Sequence, residues 1–319
     1  MQVHAERRRF FAVDLSLSEH GGLDVAFAAA LSAGALDRVM NDPAELLVAP
    51  LSGSGVLLGA FQRTSELASD PGVPIFRRGS GGHAVRAGEG VVYVQLVLSH
   101  PSALVACDAS RLLNRYVRPV LHGLGRLGKP AHYFGRDVVS VEKRPVAFVG
   151  FGHDRASGRS LVEAFVAVEA PFWVASRSSW RDRTAWTLTE ATGKSVQPAR
   201  VVDALREAFA TAYGSAAGEV SLASVESAMQ APDDPPWAAV REEAIGIVGA
   251  GKDRDGTFRV GGELMASRDA IAALERGALS VDGEGLGALV DETLGGPGSA
   301  TFGVRSLGCV RDVIAEARG

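Results

Sequence analysis

The chain has 319 residues, of which 46% are hydrophobic, and its formal net charge is −4 with an isoelectric point near 6.0. These values describe a folded protein with a sizeable core, and they exclude a disordered chain or a surface built for bulk contact with nucleic acid. The two cysteines, Cys107 and Cys309, exclude a disulfide framework and fit a reducing compartment. No apolar run suits a signal peptide or a membrane span, so we expect a cytoplasmic protein without membrane contact.

The first part of the chain predicts a helix followed by two short strands. Residues 23–36 place apolar side chains at helical spacing, and residues 45–49 and 56–59 read as strands around a Gly/Ser turn. The second strand ends in Gly-Ala-Phe-Gln at positions 59–62. A small residue followed by a polar one at a strand end is compatible with the mouth of a site or with an ordinary strand end.

Residues 76–85 read Phe-Arg-Arg-Gly-Ser-Gly-Gly-His-Ala-Val, and a β-type run follows at 90–98. Its three glycines permit positive φ values, and successive amides in such a loop can converge on an anion. Arg77 and Arg78 add fixed charge and paired donors suited to phosphate or carboxylate. Local chemistry leaves two interpretations open, an anion-holding loop or a Gly-rich hairpin with solvated arginines.

The middle of the chain predicts a helix over 108–128 that is kinked or stopped at Pro119. A formal G-x-G-x-x-G at 123–128 follows this helix rather than a strand, so we reject it as a dinucleotide site. Further strands are predicted at 138–141, 146–151 and 161–168, and Pro145 indicates a break or a sheet edge. An amphipathic helix then ends at Gly214.

We predict three regions: a large domain over 1–214, a linker over 215–243 and a small α+β domain over 244–319. The linker is rich in small residues and contains Asp-Asp-Pro-Pro at 233–236. The last region predicts a hairpin followed by helices near 269–277 and 286–294.

Several of these stretches together resemble the lipoate–protein ligase family, whose relatives include octanoyltransferases and biotin–protein ligases. Residues 77–85 match the family's R-R-x-S-G-G-x-A-V loop at every fixed position. Residues 59–62 look like its G-x-x-Q strand end, and residues 135–139 resemble its G-R-N-D motif. The tail from residue 244 is similar to the family's accessory domain, so the resemblance covers nearly the whole chain.

The resemblance implies an α+β fold of the class II aminoacyl-tRNA synthetase and biotin–lipoate ligase type, with a largely antiparallel sheet, helices on one face and a small C-terminal domain. It implies that lipoate or octanoate is activated with ATP and Mg²⁺ as an acyl-adenylate and passed to a lysine of a lipoyl-type acceptor domain. The implied nucleotide-binding residues are Arg77, Arg78, Gly79, Ser80, Gly81, Gly82, His83 and Ala84. The implied substrate-binding residues are Phe61, Gln62, Tyr93 and Asp137.

The chain departs from the family at the chemistry itself. The family's lysine motif, K-[IV]-x-G-x-A, aligns with Pro145 at the lysine and Phe148 at the glycine, and Val-Glu-Ala at 162–164 replaces its H-G-[ST]. Lys143 lies two positions before Pro145, and residues two apart on a strand share a face, so Lys143 is the candidate catalytic lysine. The alternatives are a solvated edge-strand lysine in a binding or scaffolding protein that has lost catalysis, and an octanoyltransferase that does not use ATP.

Other side chains give weaker signals. We expect Cys107 to be a small buried residue rather than a nucleophile. His132, His153 and Asp154 are compatible with an acid–base group or with loop hydrogen bonds. The histidines and cysteines lack zinc-ligand spacing, so we predict no structural zinc and no protein-bound metal.

Overall fold

The structure is a computed structural model that describes residues 11–13, 22–40, 42–133, 137–172, 186–214, 216–218, 228–243 and 246–319. Its main sheet has nine strands: β1 (Phe11–Val13), β2 (Leu23–Asp24), β3 (Ala44–Ser52), β7 (Val91–Leu98), β8 (Ala131–Tyr133), β9 (Val138–Val141), β10 (Arg144–His153), β11 (Ser160–Ala167) and β12 (Ala216–Gly218). The order is β12-β1-β3-β7-β11-β10-β9-β8, and β2 pairs with β3. The pairing from β3 to β8 is antiparallel throughout.

The central strands β7 and β11 are buried along their whole length, because both faces of the sheet are covered. Their register places Glu163 of β11 directly between Gln95 of β7 and Gly150 of β10. A carboxylate therefore lies in the middle of an otherwise apolar sheet.

One face of the sheet is covered by helices, as predicted. These are α2 (Leu112–Tyr116), α3 (Arg118–Gly125), α4 (Leu188–Thr192) and α5 (Pro198–Tyr213). The predicted interruption near Pro119 falls at Val117, and Pro119 lies in the first turn of α3, where its missing N–H breaks no intrahelical hydrogen bond.

The opposite face is covered by a three-stranded sheet and by α1 (Val25–Ala33). The small sheet has the order β5-β4-β6 and consists of β4 (Ser54–Leu58), β5 (Ile75–Arg77) and β6 (Val85–Gly88). The arginine–glycine stretch 78–84 connects β5 to β6. This connection places it over the main sheet, and we call it the glycine loop.

The C-terminal region has its own apolar core. Its elements are β13 (Ala239–Glu242), β14 (Ile247–Lys252), β15 (Phe258–Gly262), β16 (Met265–Ala266), α6 (Arg268–Ala278), α7 (Gly283–Gly295), β17 (Thr301–Phe302) and α8 (Leu307–Arg318). The strand β13 lies inside the segment predicted as a linker and pairs with β14. We call residues 239–319 the accessory unit.

Pro145 does not lie at an edge of the sheet, because β9 and β8 continue the sheet beyond β10. The predicted break is present as a shift of register between Pro145 and Ala147, since proline cannot donate to the ladder. In the described part of the chain, no helix combines the length and apolar character needed to cross a membrane.

Candidate functional site

The Arg78 side chain is an internal support of the glycine loop. It is 1% exposed, and it donates to Leu57 O at 2.8 Å, Ser80 Oγ at 2.9 Å, Gly81 O at 3.1 Å and His83 O at 2.6 Å. Three of these acceptors belong to the loop itself. The guanidinium that was predicted to hold a ligand anion therefore fixes the loop conformation.

Three glycine amides of the loop also have protein acceptors. Gly79 N donates to Ser32 Oγ at 2.8 Å, Gly81 N to Phe151 O at 2.8 Å and Gly82 N to Leu264 O at 3.0 Å. The main sheet and the accessory unit thus use donors that the sequence assigned to a ligand. The loop also sits tightly on β10, where a Cβ added at Gly150 would collide with Ser80.

A buried carboxylate of the same chain, Glu163, acts electrostatically on Arg78. Glu163 is 0% exposed and accepts a hydrogen bond from the Tyr93 hydroxyl, which in turn accepts from Gln95 Nε2 at 2.9 Å. Burial lowers the pKa of Arg78 to about 10, and the negative charge of Glu163 opposes this shift most strongly. Burial and the Glu163 carboxylate raise the pKa of Tyr93 well above its usual value, so the phenol keeps its proton.

Aromatic side chains pack beneath the loop. Phe148, at the position of the family's glycine, is 1% exposed, and the Arg78 guanidinium lies 4.7 Å from its ring centroid. Phe165 packs 6.2 Å from Phe148 and 5.0 Å from Tyr93 between ring centroids. A Cβ at Gly82, where φ is +93°, would lie 2.8 Å from Phe148, so only glycine fits there.

The accessory unit contacts the glycine loop through a buried ion pair. His83 Nδ1 lies 2.6 Å from Glu263 Oε1, and both side chains are almost completely buried. Burial lowers the pKa of His83, but the charge and hydrogen bond of Glu263 outweigh this, and the net pKa is raised. Glu263 Oε2 also accepts from Ile247 N at 3.0 Å, which anchors the carboxylate within the accessory unit.

A second carboxylate, Glu66, lies beside this pair. It accepts hydrogen bonds from Gln62 Nε2 at 3.0 Å, Trp237 Nε1 at 2.8 Å and Arg63 N at 2.8 Å. Gln62 Nε2 is also 3.5 Å from Glu263 Oε1. Burial first and the Glu263 charge second raise the pKa of Glu66 to about 7.

Arg77 and the strand end 59–62 line an open cavity beside the loop. Arg77 donates to Gln62 O and, at 2.8 Å, to Asp234 Oδ2. The cavity has a volume of about 350 Å³ and is also lined by Phe61 and Gln62 and by residues of the accessory unit. Asp137 and Ala84 are buried, at 1% and 0% exposure, and the Asp137 carboxylate acts electrostatically on His83 and Arg78.

The structure does not bring Lys143 to the loop. Lys143 lies not on a strand but in the two-residue turn between β9 and β10, with a φ of +64°, and its side chain is exposed. The loop packs on β10 near Gly150, which is seven residues away and hence about 20 Å along an extended strand. The premise that Lys143 shares a strand face with Pro145 is therefore corrected. Lys129, Lys194 and Lys252 are exposed as well.

The remaining candidates do not form a common centre. His132 lies on β8, whereas His153 ends β10 and bonds to Arg159 O at 2.9 Å. Asp154 pairs with Arg268 at 3.2 Å, and the Cys107 thiol donates to Pro101 O at 3.1 Å. Among the described residues, no three histidine, cysteine or carboxylate side chains are placed to share a metal ion.

Sequence reasoning missed Glu66, Glu163 and Glu263 as members of the site. Glu163 carried a detectable signal, because a single carboxylate inside an apolar strand is costly unless it is paired. Glu66 and Glu263 lie in ordinary polar contexts of the sequence. Only the docking of the accessory unit reveals their role.

Comparisons with known proteins agree with this architecture. The sequence profile of the lipoyl protein ligase A/B catalytic domain matches residues 24–210, more than half of the chain. Comparison with curated protein sequences finds no match.

Three solved structures share the fold at low identity. P. falciparum LipL1 in complex with lipoate is 11% identical with a TM-score of 0.58, and the match covers 97% of this chain and 99% of that one. A putative lipoate protein ligase from T. acidophilum with bound lipoic acid is 16% identical with a TM-score of 0.55, covering 67% and 90%. Lipoate-protein ligase A bound with ATP is 17% identical with a TM-score of 0.52, covering 67% and 89%. The profile match over most of the large domain, on this fold, means that the chain belongs to the lipoyl protein ligase A/B catalytic-domain family.

Proposed function

We propose that this member of the family is a ligand-binding protein that has kept the ligase fold and does not form an acyl-adenylate. The observation that carries the proposal is the position of Arg78, which is buried and donates four hydrogen bonds to Leu57 O and to the loop atoms Ser80 Oγ, Gly81 O and His83 O. A phosphodiester could accept hydrogen bonds from Arg78 only after displacing these acceptors.

The residues under the loop do not fit ATP-derived chemistry. Transfer through an adenylate requires a cation beside the phosphate and the acyl oxygen, and the amines of the four lysines all lie on exposed parts of the chain. Phe148 and Phe165 fill the apolar slot in which an acyl chain would lie. We therefore derive no catalytic step for this chain.

The proposed ligands are a lipoate- or octanoate-like acid and a lipoyl-type acceptor domain. Neighbours of the same fold support this choice, since one is described with lipoate and another as a bipartite ligase from Thermoplasma acidophilum with its E2 lipoyl domain. The cavity beside Arg77 and Gln62 offers room for a small acid without disturbing the filled slot.

The test is an acid-dependent exchange between ATP and pyrophosphate, measured on the full chain with octanoate and with lipoate. We expect no exchange above the rate without protein, while an active lipoate–protein ligase exchanges in the same buffer. Titration of a lipoyl domain then tests the second ligand. Acid-dependent exchange by the wild-type chain above that background contradicts the proposal.

ATP-dependent acyl transfer is the second candidate function. It is supported by Arg77, which is partly exposed at the mouth of the cavity, and by the ATP-bound neighbour. This candidate requires a cation other than a lysine, and we propose Arg77, which directly precedes the glycine loop and is 30% exposed. Loss of exchange in an Arg77→Gln variant would support this candidate over the first.

A further inference from the structure

The helices α2 and α3, together with the turn before them, carry a row of basic side chains on their outer side. Its members follow one another at steps of three or four residues, which places them on one side of the helical rod. Val117, between the two helices, has φ −74° and ψ −20°, so the rod continues through it. The opposite side of the rod is buried in the core. The row consists of Arg111, Arg115, Arg118, His122 and Arg126, and we call it the basic stripe.

The charge of the basic stripe is largely uncompensated by its surroundings. Residues 109–136 contain no aspartate or glutamate, although the whole chain has a net charge of −4. Carboxylates approach only the two ends of the stripe, at distances of 4.0 and 2.7 Å. Among the described residues, neither Arg115 nor Arg118 has an ion-pair partner. The middle of the stripe therefore presents free positive charge to solvent.

A surface of opposite charge lies on the accessory unit of the same chain. Residues 277–304 contain four acidic residues and no lysine or arginine. Glu284 and Asp291 of α7 are exposed and lie seven residues apart, hence on one side of the helix, which we call the acidic face. Neither carboxylate has an ion-pair partner in the part of the chain that the structure describes, since Arg311 of the adjacent α8 pairs with Asp312 at 2.7 Å.

The basic stripe and the acidic face match in spacing as well as in sign. Arg111 and Arg118 are seven residues apart, as are Glu284 and Asp291, and seven residues span about 10 Å of helix. Two helices that lie side by side can therefore bring both pairs of opposite charges together. Leu279, which is 52% exposed and lies just before α7, offers apolar area of the kind that interfaces bury.

Other anionic partners fit the basic stripe less well. A membrane-surface helix needs an apolar side to insert, and the apolar side of α2 and α3 is already buried in the core. Single-stranded nucleic acid is bound through exposed aromatic rings beside the basic groups, and the exposed large hydrophobic side chains of the described residues include no aromatic ring. An acidic surface on a folded protein is the remaining class, and a second copy of this chain supplies one.

We propose that copies of this chain associate head to tail, with the basic stripe of one copy against the acidic face of the next. The contact joins two different surfaces, so it builds a row or a ring of copies. Neither surface contains a residue of the glycine loop or of the open cavity, so association and ligand binding are separate properties of the chain.

The test is sedimentation velocity of the full chain over a series of protein concentrations, in about 0.01 M and in about 1 M salt. We expect wild type to form assemblies larger than a monomer in low salt and to be monomeric in high salt, where the charges are screened. Arg115→Glu with Arg118→Glu should weaken the association at least about tenfold, and so should Glu284→Lys with Asp291→Lys. Combining all four changes in one chain, or mixing the two double variants, should restore the association.

The matched control is Lys194→Glu with Arg254→Glu, which changes the net charge by the same amount at exposed sites elsewhere and should associate like wild type. Circular dichroism checks the fold of each variant. A wild-type chain that stays monomeric in low salt at every concentration overturns the inference, as does association that the double variants leave unchanged or that their combination does not restore. Labelled single-stranded RNA or polyglutamate that binds the monomeric chain, but not the stripe variant, would assign the stripe to another partner and also overturn it.

Discussion

His83 Nδ1 and Glu263 Oε1, 2.6 Å apart, join the glycine loop to the accessory unit in a fully buried ion pair. The family's loop pattern allows any residue at the position of His83, and here that residue is a histidine whose pKa is raised by Glu263. Two main-chain hydrogen bonds flank the pair, from Gly82 N to Leu264 O at 3.0 Å and from Gly262 N to Phe61 O at 2.8 Å. An ion pair and two main-chain hydrogen bonds thus hold the glycine loop and the strand end 59–62 against the accessory unit.

The contact between the glycine loop and the accessory unit should weaken as the pH rises. The pKa of His83 is raised, so its stabilisation is present below its ordinary pKa near 6.5 and is lost as the pH rises through the raised value. The pKa of Glu66 is raised from 4.5 to about 7, so the folded chain is penalised as the pH rises through that interval, by on the order of 3 kcal/mol for full ionisation. Both groups lower the free energy of unfolding between about pH 5 and pH 8.

A Glu66→Gln variant isolates the effect. Burial lowers the pKa of His153, so this residue makes the folded chain more stable as the pH rises, opposite to Glu66. Wild type and variant must therefore be compared with each other at pH 5.5 and at pH 8. The variant starts from a lower stability because its amide N–H₂ meets that of Gln62, but its loss of stability between pH 5.5 and 8 in urea unfolding should be smaller than that of wild type by about 2 kcal/mol. Glu292→Gln, an exposed control, should keep the wild-type slope. Equal slopes in all three proteins would exclude this role for Glu66.

Substitutions of Arg77 and Arg78 should lower the free energy of unfolding by very different amounts. Arg78→Met removes four buried hydrogen bonds and a positive charge that acts on the buried Glu163, so we expect a loss of about 3–5 kcal/mol. Arg77→Met removes a partly exposed pair with Asp234 and should cost at most about 1 kcal/mol. Urea unfolding at pH 7 measures both, and similar values for the two variants would contradict the internal role of Arg78.

The Phe148 ring should occupy space beneath the loop that an acyl chain could fill once the ring is removed. Phe148→Ala removes a fully buried ring and should cost about 3–5 kcal/mol. Because the space lies beneath the loop, octanoate should raise the melting temperature of this variant more than that of wild type. Phe209→Ala, an equally buried ring on the helical face of the sheet, is the control. If octanoate stabilises both variants equally, the slot beneath the loop is not a vacated ligand position.

The turn at Lys143 should tolerate change. Glu142 and Lys143 both have positive φ, of 51° and 64°, which non-glycine residues adopt at a cost. Replacing them with Asn-Gly should stabilise the chain by about 1 kcal/mol, since that pair suits a two-residue hairpin. Octanoate affinity should stay at the wild-type value, and a drop in affinity would restore Lys143 as a functional residue.

The order of helices and strands, the loop motif and the family were all accessible from contiguous residues. The short apolar runs at 45–49 and 161–168 predict strands through their own residue types, and Pro119 predicts a helix break through its own missing N–H. The mismatch at Pro145 and Phe148 already raised the alternative of a ligase-fold binding protein without catalysis. These features depend on residues that are close together in the sequence, so they can be predicted from the sequence alone.

The use of the loop could not be found in the same way. Whether Arg78 faces a ligand or Glu163 depends on the register of β11 beside β10, and whether His83 is free or paired depends on where the accessory unit docks. The turn that removes Lys143 from the strand is likewise set by the pairing of β9 with β10. Charge balance in a buried site is decided by groups distant in the chain and adjacent in space, because Coulomb interactions act through distance and not through sequence.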